Sequence, residues 1–194
     1  IVAGERSLKE AGWLLDNGFE VIGLDSLNDY YDVKLKLDRN QLLLNKPGYK
    51  FYHLDLCDYS SLTKIFETEG LDKICHLAAQ PGVRFSIDHP FAYQKANNEA
   101  FLNIIECARH HGIKQFVYAS SSSVYGGNKK LPFSEADKVD TPVSLYAATK
   151  KSNELVAHVY GHLYGLKTIG LRFFTVYGPW GRPDMAYYSF TKSI

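Results

Sequence analysis

Only three cysteines, Cys57, Cys75 and Cys107, occur in 194 residues. They are odd in number and far apart, with no C-x-x-C pair, which argues against a disulfide framework or a thiolate metal site. Two of them lie in apolar stretches, so free, buried thiols are expected, in keeping with a reducing, cytoplasmic setting. An excess of charge of one sign is also missing. The 22 Lys and Arg almost balance 21 Asp and Glu, for a net charge of +1. A nucleic-acid groove that neutralises phosphates therefore has no electrostatic support. No apolar run approaches the roughly 20 residues that span a bilayer, and no signal peptide opens the chain, so no membrane partner is expected. His158 and His162 stand four apart without an evident third ligand, so no metal is expected.

What is present is a globular composition, 45% hydrophobic and 14% aromatic, enough for one well-buried domain. Short β-rich runs at 19–24, 49–54, 73–77, 114–119 and 167–173 alternate with helix-like stretches near 7–16, 33–45, 60–69, 91–111 and 145–164. That order implies an α/β fold, a Rossmann-like doubly wound parallel sheet with helices on both faces. Several strands are nearly all apolar, as expected where both faces are covered. Ligands in such sheets bind beyond the carboxyl ends of the strands.

Three strand ends carry candidate chemistry. Asp25 follows Leu24 where a dinucleotide-binding domain places its ribose carboxylate, which accepts from the diol and repels a 2′-phosphate, favouring NAD over NADP. A strand-end Asp also caps turns. The run His76-Leu77-Ala78-Ala79 puts two small residues where a cofactor can lie against backbone, although Ala-Ala is equally ordinary in a core. The third end is the serine run Ala119-Ser120-Ser121-Ser122-Ser123-Val124-Tyr125-Gly126, followed by Tyr146-Ala147-Ala148-Thr149-Lys150. A Tyr and a Lys four apart share one helix face. A phenol with an ordinary pKa near 10 is a poor base at neutral pH, but a nearby ammonium stabilises its phenolate. With a strand-end serine hydroxyl, the pair forms a proton-transfer site of the kind hydride transfer at an alcohol carbon requires.

These stretches resemble the nucleotide-sugar epimerase and dehydratase family of extended short-chain dehydrogenases/reductases. So do Ser144-Leu145-Tyr146 and Leu171-Arg172-Phe173-Phe174-Thr175-Val176-Tyr177-Gly178-Pro179-Trp180-Gly181-Arg182-Pro183-Asp184-Met185-Ala186. The latter and Asn28-Asp29-Tyr30-Tyr31-Asp32 are especially similar to UDP-glucuronate 4-epimerases. The resemblance implies NAD as cofactor and a UDP-sugar substrate, with a homodimer formed through the helices near 91–111 and 145–164. It places Ser121 and Tyr146 beside the sugar O4, with Lys150 on the nicotinamide ribose and lowering the pKa of Tyr146. Asp25, Asn28, Asp55, Leu56, Ala78 and Asn97 would line the NAD groove, and Ser122, Ser123, Thr175 and Arg182 would gather at the sugar carboxylate. The implied reaction oxidises C4, turns the 4-keto sugar over and returns hydride to the opposite face. A 4-keto uronate is a β-keto acid that loses carbon dioxide readily, which gives a carboxylate-holding cluster its purpose.

The sequence departs from the family pattern in several places. The expected G-x-x-G-x-x-G is broken: Gly4 matches the second glycine, with Ile1 and Ser7 on the others, or else residues 1–4 end the first strand and about three residues are deleted. A first strand normally lies mid-sheet, so its loss would leave unpaired edges. Glu99 falls in a helix segment that is usually apolar, where a buried carboxylate is costly. The chain ends at Ile194, so residues 1–174 read as an N-terminally incomplete cofactor domain and 175–194 as the start of a truncated substrate region. The stretch Tyr187-Tyr188-Ser189-Phe190 reads as apolar surface. Rival readings are a 4,6-dehydratase, a UDP-glucuronate decarboxylase, and an inactive fragment or weak nucleotide-binding module. Dehydratases carry an Asp-Glu pair after the catalytic hydroxyl, where this chain has Ser122 and Ser123.

Overall fold

The computed structural model describes residues 5–194. The broken glycine motif and the strand end read from residues 1–4 lie outside the described residues, save for Ser7. The chain forms two compact units, one holding the residues up to Asp55 together with Thr175–Ile194, the other Leu56–Phe174.

In the first unit, helix α1 (Glu5–Asp16) leads to strand β1 (Val21–Asp25), helix α2 (Val33–Leu44) and strand β2 (Tyr49–His53). The strands pair in parallel, Val21 opposite Tyr49 and Asp25 opposite His53. Gly23 is required here, because a Cβ would run into the Tyr49 ring. Asp32 caps α2 by accepting from the Lys34 amide at 2.9 Å.

The second unit begins with helix α3 (Tyr59–Glu69), started by Asp58 and ended by Gly70 in the left-handed region at φ 57°. Strand β3 (Lys73–His76) follows, then the short helices α4 (Phe85–Asp88) and α5 (Pro90–Tyr93), a π-helical turn (Gln94–Glu99) and helix α6 (Ala100–His110). Strand β4 (Gln115–Ser121) runs into a 3₁₀ turn (Ser122–Tyr125); helix α7 (Leu145–Tyr164) and strand β5 (Thr168–Phe173) complete the unit. Strands β3, β4 and β5 form a parallel sheet in that order. Phe101, Ile104 and Ile105 of α6 are buried, as are Ile74 and Phe116 of the sheet and Leu62 of α3. Each such side chain contributes about 1.5–3 kcal/mol through burial. Helix α8 (Ala186–Lys192) closes the chain and leaves Phe190 exposed.

All five expected strands and the long helices form, with three differences. The strands make two parallel sheets among the described residues, β1–β2 and β3–β4–β5, where one sheet was expected. Glu99 is exposed and carries no burial cost: Tyr93, Asn97, Phe101 and Ile104 form the buried face at helical spacing, and Glu99 falls off it. The cysteines are free as expected, but only Cys107 is fully buried.

Candidate active site

Tyr146 and Lys150 lie in the first two turns of α7, which packs on strand β4 and on the 3₁₀ turn that follows it. Ser144 caps that helix, accepting from the Ala147 amide at 3.1 Å, and so sets the position of Tyr146 in the first turn. Lys150, one turn on, is 2% exposed and donates from Nζ to the Ala119 carbonyl at 2.9 Å. A lysine on α7 thus grips strand β4 two residues before Ser121. Tyr146 is half-buried and meets Tyr93 edge-on, ring centroids 6.2 Å apart. Tyr93 in turn donates to the Pro81 carbonyl at 2.6 Å, fixing the loop after β3. Nothing in the spacing around Tyr93 marks it out in the sequence.

The serines of the run divide their contacts between α7 and the 3₁₀ turn. Ser120 donates to Glu154 Oε1 at 2.6 Å. Ser121, the last residue of β4, is buried, donates to Ser123 Oγ and accepts from the Ser123 amide, both at 3.2 Å, which starts the 3₁₀ turn. Ser122 and Ser123 are half-buried on that turn, against which α7 packs. Gly126 ends it at φ 58°, where a Cβ would collide with the Thr141 carbonyl. Glu154 of α7 also receives Arg172 of β5 through two bonds, Nε to Oε1 at 2.9 Å and NH2 to Oε2 at 3.0 Å. Burial works against the Glu154 charge, but the hydrogen bonds from Arg172 and Ser120 win and hold its pKa below the ordinary value.

Asn97, expected to line the NAD groove, lies on the π-helical turn beside the loop after β3. Its amide is buried and fully directed inward. Oδ1 accepts from the Gln80 amide at 2.7 Å; Nδ2 donates to the Gln80 carbonyl at 3.2 Å and to Thr149 Oγ1 at 3.0 Å. It therefore joins the loop after β3 to the helix of Tyr146 and Lys150. Ala78 is half-buried in that loop, and Leu56 is buried with its carbonyl accepting from Asn103 at 2.9 Å. His76, which the sequence did not single out as a site residue, is buried among Phe101 and Phe116, and its Nδ1 has no partner among the described residues. Burial, with the charge of Lys150, pushes its pKa down to about 3, so it is neutral.

The first unit holds Asp25, Asn28, Asp55, Thr175 and Arg182. Asp25 ends β1 and accepts from the Leu27 amide at 2.8 Å. It lines a cleft of about 380 Å³, open mouth included, together with Ser7, Tyr31, Lys36, Arg39 and Tyr49. Lys36 donates to the Asn28 carbonyl at 2.7 Å and to Asn28 Oδ1 at 2.6 Å, so the Asn28 side chain braces its own loop. Asp55 and Thr175 are exposed. Arg182 is half-buried, with Nε 3.2 Å from Asp184 Oδ1. That partner was not foreseen, although it stands only two residues away. His158 and His162 are both exposed, and among the described residues no group of three His, Cys, Asp or Glu is placed to hold a metal. No described helix is long and apolar enough to cross a membrane.

Comparisons with known proteins point the same way. The model of the NAD-dependent epimerase/dehydratase family matches residues 11–193. An uncharacterised protein of Methanocaldococcus jannaschii is 57% identical over 184 residues, covering 94% of this chain and 56% of that protein. UDP-glucuronate 4-epimerase 2 of Arabidopsis thaliana is 53% identical over 178 residues, 91% of this chain and 41% of that one. Among solved structures, UDP-glucuronic acid 4-epimerase from Bacillus cereus, in complex with UDP-glucuronic acid and NAD, superposes with a TM-score of 0.88 at 34% identity. That match covers 95% of this chain and 58% of the other. The chain spans about half the length of the curated relatives it matches.

Proposed function

Because the chain belongs to the NAD-dependent epimerase/dehydratase family, we propose that it carries the NAD-binding and proton-transfer part of a UDP-sugar 4-epimerase converting UDP-glucuronate to UDP-galacturonate. The observation that carries this reading is the junction of α7 with β4: Tyr146 and Lys150 one turn apart, with Lys150 bound 2.9 Å from Ala119 and Ser121 two residues further on.

The residues present suit NAD. Asp25 offers a carboxylate at a strand end inside a cleft, the acceptor a ribose diol needs and a 2′-phosphate does not tolerate. Lys150 is assigned to the nicotinamide ribose. When bound, NAD supplies a reversible acceptor for the C4 hydride. Tyr146 takes the O4 proton and later returns it, and Ser121 holds the same oxygen. Lys150 places a fixed positive charge one turn from the phenol. Ser122, Ser123, Thr175 and Arg182 are assigned to the sugar carboxylate, whose restraint prevents decarboxylation of the 4-keto form. The serines at 122 and 123 favour epimerisation over 4,6-dehydration, which needs carboxylates there. Leu102 of α6 and Leu155 and Val159 of α7 are exposed, which supports pairing of two copies through these helices.

The test is to incubate the protein with NAD and UDP-glucuronate and identify the product by NMR. UDP-galacturonate is expected. A UDP-pentose with release of carbon dioxide would assign the chain to decarboxylation, and unchanged substrate would count against catalysis by it.

A further inference from the structure

The loop that bears Arg182 is held at two points from more than a hundred residues away, by Tyr30 directly and by Arg39, which Tyr31 supports. Tyr30 donates to Asp184 Oδ2 at 3.1 Å, while the other oxygen of that carboxylate faces Arg182 Nε at 3.2 Å. Tyr31 accepts from Arg39 NH1 at 2.7 Å, and Arg39 NH2 bonds the Trp180 carbonyl. Arg39 is 4% exposed, so the centre of this second tether is buried. Trp180 sits at φ 67°, a left-handed conformation that a bulky residue adopts only where its surroundings hold it. The rings of Tyr30 and Tyr31 meet edge to face at 6.3 Å, which sends the two hydroxyls to different partners.

We infer that Tyr30 and Asp184 are positioning residues that orient the Arg182 guanidinium for a sugar carboxylate and thereby set the preference for a uronate over a neutral hexose. This rests on the assignment of Arg182 to the substrate carboxylate. Two-pronged recognition of a carboxylate by arginine needs the guanidinium plane fixed within about 10–20°. Binding of Nε by Asp184 fixes that plane, and Tyr30 fixes Asp184. Burial beside Asp184 pushes the Tyr30 pKa up to about 12, so its hydroxyl remains a donor throughout the neutral range. Asp184 also repels an incoming carboxylate. The Arg182–Asp184 pair is partly exposed and screened, so that repulsion is worth a few-fold at most, whereas a charged hydrogen bond of good geometry is worth about tenfold or more. The neutral hydroxymethyl of a hexose gains nothing from the alignment. The inference also explains why the Asn-Asp-Tyr-Tyr-Asp and Gly-Arg-Pro-Asp segments occur together in one sequence: they touch.

Two readouts on the chain test it. Exchange of the Arg182 Nε–H, followed by NMR with ¹⁵N-arginine, is expected to be at least about tenfold faster in Tyr30→Phe than in the unmodified chain. Calorimetric affinities for UDP-glucuronate and UDP-glucose should show a preference for the former that falls about tenfold in Tyr30→Phe and Asp184→Ala, with UDP-glucose binding unchanged. Asp184→Asn, which keeps an acceptor for Nε, should restore most of it. A glucuronate preference that survives Tyr30→Phe overturns this inference and leaves the proposed function standing. No preference in the unmodified chain overturns the functional assignment, and the inference with it.

Discussion

Lys150 donates from Nζ to the Ala119 carbonyl at 2.9 Å, so one buried ammonium joins the helix that carries Tyr146 to the strand that ends in Ser121. The contact makes Lys150 both a structural tie and a source of charge, and these roles separate under mutation.

Tyr146→Phe should leave the unfolding midpoint in urea unchanged and lower epimerisation by about 10²–10⁴-fold, the range for loss of an acid–base group. Lys150→Met should lower turnover and also cost about 1–3 kcal/mol of stability, because the Ala119 carbonyl loses its buried donor. A Tyr146→Phe chain with undiminished turnover would remove the phenol from the mechanism.

Glu154 should behave as the keystone of the sheet end, since it holds Arg172 of β5 and Ser120 of β4 from α7. Glu154→Ala leaves the Arg172 charge half-enclosed and is expected to cost about 3–5 kcal/mol in urea unfolding. Replacing Glu154 and Arg172 together by Leu should recover much of that loss. A double-mutant cycle without coupling would show that the pair is ordinary surface electrostatics.

Much of this was legible before the structure. The strands announced themselves as short apolar runs, and Tyr146 with Lys150 could be placed on one face because helical spacing is geometric. What could not be read was what depends on long-range partners or on this chain's departures from the family pattern. Glu99 was read against a family segment that is usually apolar, yet it is exposed, two positions off the buried face of Asn97 and Phe101. Asn97 was expected in the NAD groove, but that its amide joins Gln80 to Thr149, 17 and 52 residues away, could not be read from the sequence. Arg182 was singled out by its residue type, while its tether through Asp184 to Tyr30 spans 154 residues and leaves no local trace.

Asn97→Ala should expose this hidden role. Its removal leaves the Gln80 amide without its side-chain acceptor, at a cost of about 1–3 kcal/mol or more. The Gln80 amide should then exchange with solvent much faster than those of the β4 core. Protection that is unchanged would mean that the buried amide is dispensable.

His76 predicts a pH dependence. Its pKa falls from 6.5 to about 3 on folding, so as the pH drops below 6.5 the unfolded chain takes up a proton that the folded one refuses. Stability is then lost by roughly 1 kcal/mol per pH unit until the folded group itself titrates. Glu154, also depressed on folding, acts in the same direction below its ordinary value of 4.5. His76→Phe, which replaces an imidazole whose Nδ1 lacks a partner, should be near neutral at pH 7 and flatten the decline between pH 6.5 and 4.5 in acid unfolding followed by circular dichroism. An identical acid transition in the variant would exclude His76 as its source.

The claim beneath all of these is that the chain holds NAD, and a calorimetric titration with NAD tests it most directly. Binding in the micromolar range is predicted, weakened about tenfold or more by Asp25→Ala, which removes the ribose acceptor, and little changed by Tyr146→Phe. A folded chain that takes up no NAD, or binds it equally well without the Asp25 carboxylate, would contradict the account.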